Sequence, residues 1–320
     1  MKRLFILLCN LFVLIYSRSF NVISKRIVNG KDAPEDKYLW SISLKGDIPT
    51  DEAVYGCGAS LIDKQWLLTA AHCFLAAQEK SLLNSTDPIL WHARAGARKL
   101  ETEYVKYEHK YEKAYKGWYE ETSDFDGMKR TDGKWDKRRV PESYLDLHVS
   151  KIILHPNYKP DEIEWDIALM KLQSPIEEKY LNEFLEVIPL PSEADSKPWP
   201  KIGQMCILIG WGCKTNGGSI SERAQIANLK IQSNKFCEKV YNQGADLNDE
   251  HEFCAGKYKS GHGLCEGDSG SGLACKKGNK WTLAGVASAT HAELPGNYPG
   301  IFTRVSYFIS WILENINKQN

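Results

Sequence analysis

The sequence lacks an excess of either charge: 41 Lys and Arg residues balance 41 Asp and Glu residues over a chain of 320. Nucleic-acid binders draw affinity from basic side chains that neutralise phosphates, so no nucleic-acid partner is expected. It also lacks a long hydrophobic run. Leu4–Tyr16 is apolar except for Asn10 but is only thirteen residues long, whereas a bilayer core of about 30 Å takes roughly 20. No later stretch is longer and as apolar, so no membrane span is expected. Low-complexity composition is missing as well. With 42% hydrophobic and 26% charged residues, the chain is neither disordered, nor collagenous, nor a coiled-coil array.

What is present begins with a different kind of segment. Lys2 and Arg3 precede the apolar run, and Ser17 and Ser19 follow it. This is the layout of a secretory signal peptide, placed at 1–19, with a short propeptide at 20–26 and a mature domain at 27–320. Loss of 1–26 leaves 36 basic and 41 acidic residues, a net of −5, and removes Cys9. Eight cysteines remain, an even number that in a secreted chain implies four disulfides, with 105 pairings open. His251, Cys254, His262 and Cys265 also form two H-x-x-C pairs. A zinc module would use them, but oxidised thiols are expected outside the cell, so neither metal nor cofactor is expected.

From Ile27 onward short apolar runs are separated by turn residues: Leu39–Leu44, Ala59–Ile62, Trp66–Thr69, Val149–Leu154, Ala168–Leu172, Cys206–Gly210, Trp281–Val286 and Gly300–Val305. Many short strands indicate an all-β sandwich or barrel. Only the end reads as a helix, with Tyr307, Ile309, Trp311, Ile312 and Ile316 on one stripe. Residues 101–139 are rich in tyrosine and charge and poor in aliphatic side chains. Tyr104, Tyr107, Tyr111, Tyr115 and Tyr119 share one helical face. The segment is either a solvated insertion or a partner-binding arm. The sequon Asn84-Ser-Thr86 offers a glycan site.

Three strings carry the chemistry: Thr69-Ala-Ala-His-Cys73, Trp165-Asp-Ile-Ala-Leu169 and Cys265-Glu-Gly-Asp-Ser-Gly270. The order His72, Asp166, Ser269 differs from that of the α/β-hydrolases and of subtilisin. Together with Arg26-Ile-Val-Asn-Gly30, Gly56–Leu61, His155-Pro-Asn-Tyr158, Gly210-Trp-Gly212, Phe253-Cys-Ala-Gly256 and Pro299–Val305, it resembles the trypsin-like (chymotrypsin-fold) serine endopeptidases. The resemblance implies two six-stranded antiparallel β-barrels and a C-terminal α-helix, interrupted by the 101–139 insertion. It implies Ser269 as nucleophile, His72 as base, Asp166 as orienting carboxylate, and Gly267 and Ser269 as oxyanion-hole donors. Ser288 matches the serine that supports the buried aspartate. It also implies a zymogen cleaved after Arg26, whose new amine at Ile27 pairs with Asp268. Substrates would be proteins or peptides, and protein inhibitors would be further partners.

The same resemblance pairs Cys57 with Cys73, Cys206 with Cys275 and Cys237 with Cys254. Cys213 and Cys265 are left over, and a non-standard disulfide between them is expected. In the specificity pocket the position that is aspartate in trypsin is Gly263, followed by Leu264. Thr290 and Ala289 replace residues of the usual mouth, and Gly300 matches a wall glycine. Small or medium aliphatic side chains are therefore expected as substrates, unless Glu293 turns into the pocket and recruits a basic one. Ser271 and Gly272 depart from the family's usual Gly-Pro after the nucleophile. This keeps a second reading open, a weak or inactive homologue that acts by binding.

Overall fold

The computed structural model describes residues 30–46, 55–74, 86–100, 144–160, 162–192, 198–242 and 246–319. The signal and propeptide segments, Ile27, Asn84 and the 101–139 insertion lie outside the described residues.

A two-residue strand, β1 (Lys31–Asp32), opens the described chain. Then come β2 (Ser41–Gly46), β3 (Tyr55–Asp63), β4 (Trp66–Thr69), β5 (Trp91–Ala95), β6 (Leu145–Leu154) and β7 (Ala168–Leu172). These six close into an antiparallel barrel in the order β2-β3-β4-β7-β6-β5. Alternation drives the closure: in β5 Trp91, Ala93 and Ala95 are buried while His92 and Arg94 are only partly so. The tight corner between β3 and β4 is set by Asp63, whose carboxylate accepts the Gln65 N–H at 2.9 Å. Trp40, Trp66 and Trp91 are almost wholly buried in this half.

The second half holds β8 (Met205–Gly210), β9 (Gln225–Lys230), β10 (Glu252–Ala255), β11 (Gly272–Lys277), β12 (Lys280–Ala289) and β13 (Gly300–Arg304). With β1 they make one antiparallel sheet, ordered β1-β9-β8-β11-β12-β13-β10. Its far edges meet just beyond β9. Ile231 bridges to Ala255, the Gln232 N–H donates to the Cys254 carbonyl and the Gly256 N–H to the Lys230 carbonyl, both at 2.9 Å. The second barrel of the sequence reading is thus a curled sheet drawn shut at one corner, because four-residue β10 is too short to supply a full ladder. Two short helices, α1 (Glu178–Glu183) and α2 (Asn234–Val240), precede the C-terminal α3 (Ile309–Gln319). α3 seats Ile309, Ile312 and Ile316, as the apolar stripe anticipates. No helix among the described residues is long and apolar enough to cross a membrane.

Candidate active site

Asp166 stands at the entry to β7, in a turn closed across it by the Ile167 N–H and the Trp165 carbonyl at 2.8 Å. Its side chain is 3% exposed. One carboxylate oxygen accepts the His72 backbone N–H at 2.9 Å, and the other meets His72 Nδ1 at 2.7 Å and the Ser288 hydroxyl at 2.6 Å. Its own carbonyl accepts the Thr303 hydroxyl at 2.8 Å. The two sheets therefore grip this residue from both sides. Burial opposes ionisation of Asp166. The His72 charge and the hydrogen bonds from His72 and Ser288 outweigh it, so the carboxyl is held below the usual range. Burial likewise works against the His72 imidazolium, and the Asp166 charge and hydrogen bond raise its pKa above 6.5 regardless. With Nδ1 committed to Asp166, Nε2 is left as the proton acceptor, and the imidazole remains 26% exposed.

Ser269 sits on the turn that feeds β11. Its carbonyl accepts the Gly58 N–H of β3 at 2.7 Å, and the next N–H, Gly270, donates to Ala287 of β12 at 2.8 Å. The loop is pinned to both halves of the molecule. Gly270 has φ of 77°, and a Cβ there would lie 2.2 Å from Thr69 Oγ1 and 2.3 Å from the Gly58 carbonyl. Gly267 has φ of 92°, and a Cβ would meet Ile220 at 2.8 Å. Glycine is needed at both positions for the left-handed backbone and for the close approach. Ser271, the departure noted in the sequence, is not among the positive-φ residues, and its hydroxyl fills the space left by Gly58. That hydroxyl is buried and has no hydrogen-bond partner among the described residues.

Asp268, between Gly267 and Ser269, is fully buried. Its oxygens accept the Gly212 N–H at 2.8 Å and the Cys265 N–H at 3.0 Å. Among the described residues no cation reaches it, and burial, only partly offset by these two bonds, pushes its carboxyl up to about 7.

A cavity of about 280 Å³ opens beside Ser269. Its walls include Leu264, Ala287, Ser288, Ala289, Thr290 and Pro295. Leu264 is 3% exposed and fills the room beside Gly300, where a Cβ would lie 2.1 Å from its Cδ1. Of the pocket residues read from sequence, Leu264, Ser288 and Thr290 line the cavity; Gly263, Gly300 and Glu293 do not. Gly263 is buried behind the floor, against the Pro295 and Tyr298 carbonyls. Glu293 is exposed on the surface: the chain turns into the short helical turn Pro295–Asn297 just after it, and Ala292 and Pro295 take the wall instead. Sequence reasoning missed His291, which lines the cavity and stacks on Tyr298 at 4.2 Å.

All four expected cysteine pairs are joined: Cys57–Cys73, Cys206–Cys275, Cys213–Cys265 and Cys237–Cys254. Cys213 and Cys265 are 5.3 Å apart at Cα and line the cavity. Beside the bond, the Cys213 N–H donates to the Glu266 carbonyl at 2.8 Å. The loop after β8 is thereby fastened to the segment carrying Gly267 and Ser269. Cys254 and Cys265 are both bonded, so the zinc set that included them does not form.

Comparison with known proteins agrees with this geometry. A family model for trypsin matches residues 27–128 and 125–312. Mouse (Mus musculus) serine protease 28 is 31% identical over 301 residues, covering 91% of this chain and 89% of its own. Mouse tryptase is 28% identical over 300 residues, with the same coverage of each.

Proposed function

Since the chain belongs to the trypsin family of serine proteases, we propose that it is a secreted serine endopeptidase. Ser269 Oγ attacks the scissile carbonyl while His72 Nε2 takes its proton. The proton then passes to the departing amine, leaving an acyl-enzyme on Ser269. Water, deprotonated by the same imidazole, releases the acid and restores the serine. Asp166 fixes the tautomer and balances the imidazolium. The Gly267 and Ser269 N–H groups receive the oxyanion. The observation that carries this reading is the hydrogen-bonded network of His72 and Ser288 on the buried Asp166, with Ser288 and Ser269 lining one cavity.

The protein is made with a signal peptide at 1–19 and is activated by cleavage after Arg26. Asp268 supports this: it is buried with no cation beside it among the described residues, a buried carboxylate calls for a positive partner, and the Ile27 amine freed by that cleavage would supply one. Primary specificity is for small or medium aliphatic side chains. Leu264 on the cavity floor and the surface position of Glu293 favour it. Apolar pocket contacts of this kind discriminate by about 1–3 kcal/mol per methylene, so the result is a preference. A cleavage profile on a peptide library with protein cut after Arg26 tests both points. Preference for Val, Ala or Leu before the scissile bond is expected; preference for Arg or Lys would overturn the pocket reading. Peptide hydrolysis by uncut Arg26→Gln protein would overturn the activation step.

A further inference from the structure

Behind Asp166, on the side away from the cavity, a second group of chemically capable side chains converges. Glu164 lies on the turn before Asp166, while His251 and Glu252 lie at the start of β10. One ligand atom from each of the three falls within 4.8 Å of the others. Glu252 is 0% and His251 6% exposed. Glu252 Oε1 and His251 Nδ1 are both buried without a hydrogen-bond partner among the described residues. Among the described residues the other Glu252 oxygen accepts only the Asn248 N–H, at 3.1 Å.

Glu252 is buried with one oxygen lacking a partner among the described residues, and the half-buried Glu164 stands beside it, so the two carboxylates meet with little to compensate them. Arg304 is the nearby cation, but one of its Nη atoms is spent on the Glu252 carbonyl at 2.9 Å. Its Nε and the other Nη reach no hydrogen-bond acceptor among the described residues, and its charge is shared between Asp249 and Glu252 without a hydrogen bond to the Glu252 carboxylate. His155 and Tyr307 border the cluster through ring packing on Trp165 and His251, 4.8 Å and 4.3 Å apart respectively. Trp165, between Glu164 and Asp166, holds φ of 62°, a region aromatic residues seldom adopt. Its stacking on His155 and tilted packing on His251 hold the turn beside β10.

We propose that Glu164, His251 and Glu252 form a site for one divalent transition ion of the zinc class. One imidazole nitrogen with two carboxylates suits such an ion better than calcium, which takes six or more oxygen donors. Tetrahedral zinc with donors about 2.0–2.2 Å away sets them roughly 3.3–3.6 Å apart, so atoms lying within 4.8 Å of one another close by up to about an ångström on loading. The site is distinct from the catalytic residues and from the cysteines. The ion ties the turn that carries Asp166, in the first barrel, to β10 in the second sheet. It also sits next to Thr303 and Arg304, since Glu252 pairs with Thr303 in the β10–β13 ladder and Thr303 holds the Asp166 carbonyl. Loading therefore stiffens the seam between the two halves beside the catalytic aspartate.

The test is titration of chelator-treated protein with Zn²⁺, Co²⁺ and Ca²⁺, followed by calorimetry, thermal melting and, for Co²⁺, visible absorption. None of these depends on proteolytic activity. One Zn²⁺ per chain is expected, with a melting temperature raised by about 4–5 °C at a hundredfold excess over Kd, and a cobalt spectrum of mixed nitrogen and oxygen ligation. Glu164→Gln, the least buried of the three, should lower zinc affinity at least tenfold while the chain remains folded. His251→Gln should abolish the cobalt bands. Absence of zinc binding at millimolar concentration, or zinc affinity unchanged in Glu164→Gln, would overturn the site.

Discussion

Asp166 and Asp268 are both buried aspartates, one on each side of the cleft, yet their chemistry diverges. Asp166 meets an imidazole, a hydroxyl and a backbone N–H, and its carboxyl is held below the ordinary range. Asp268 meets two backbone N–H groups, and its carboxyl is pushed up to about 7. Burial is the largest single influence on both. What separates them is whether a side chain able to carry positive charge completes the shell. The first barrel arrives with its charge pair assembled. The second sheet presents a carboxylate ready for a partner from outside the described residues. On the proposed account this is the difference between a part that is always formed and a part that is switched.

The largest expected effect comes from breaking the completed shell. Asp166→Asn should lower kcat by about 10⁴-fold through loss of the productive imidazole tautomer. In the wild type, activity should fall as the pH drops through a midpoint above 6.5, because Asp166 raises the His72 pKa and only the neutral imidazole serves as base. Initial rates on a peptide ester across pH 5–9 measure both. Next comes the incomplete shell. Asp268→Asn, after cleavage behind Arg26, should cost about 10²–10³-fold, the scale of a lost oxyanion donor. In the uncut form the same change sharpens the comparison through stability. A carboxyl whose folded pKa, about 7, exceeds its unfolded value of about 3.9 binds more protons when folded. Uncut protein should therefore lose stability as pH rises from about 4 to 7, and Asp268→Asn should flatten that slope in denaturant melts.

The Cys213–Cys265 bond belongs to the switched side alone. Replacing both cysteines with serine should destabilise the protein by about 2–4 kcal/mol, given a separation of 52 residues. The loss should appear in kcat on small substrates as well as in thermal melts, since the bond anchors the segment leading to Gly267. The smallest effect is reserved for Ser271→Gly. Removing a buried hydroxyl that has no partner should change stability by less than about 1 kcal/mol and activity by no more than a few-fold. A large gain in activity would mean that Ser271 distorts the loop after all.

Much of this arrangement was legible in the sequence, and for physical reasons. The strands over Trp66–Thr69 and Ala168–Leu172 stand where their apolar runs place them, because a barrel interior demands uninterrupted burial there. The turn at Asp63 follows from the side chain's own hydrogen bond. Less legible were β9, with its mixture of Gln, Asn and Lys, and β10, which buries Glu252 inside a four-residue strand. Neither has an apolar run to signal it. The pocket was half legible. The resemblance places Leu264 in the pocket by its distance from Ser269, but the wall formed by His291, Ala292 and Pro295 depends on how a surface loop folds back. The resemblance matches Glu293 to a wall position and leaves open whether it turns into the pocket; the side chain is exposed on the surface. The grouping of Glu164 with His251 and Glu252 joins the turn before Asp166 to the start of β10, and no local pattern announces a contact across that distance.

The most direct measurement is covalent labelling by a fluorophosphonate, with the modified peptide identified by mass. Protein cut after Arg26 should gain one adduct, located on Ser269, and His72→Ala protein and uncut Arg26→Gln protein should gain none. No adduct on the cut wild type, or an adduct on another serine, would contradict the assignment of Ser269 as the nucleophile.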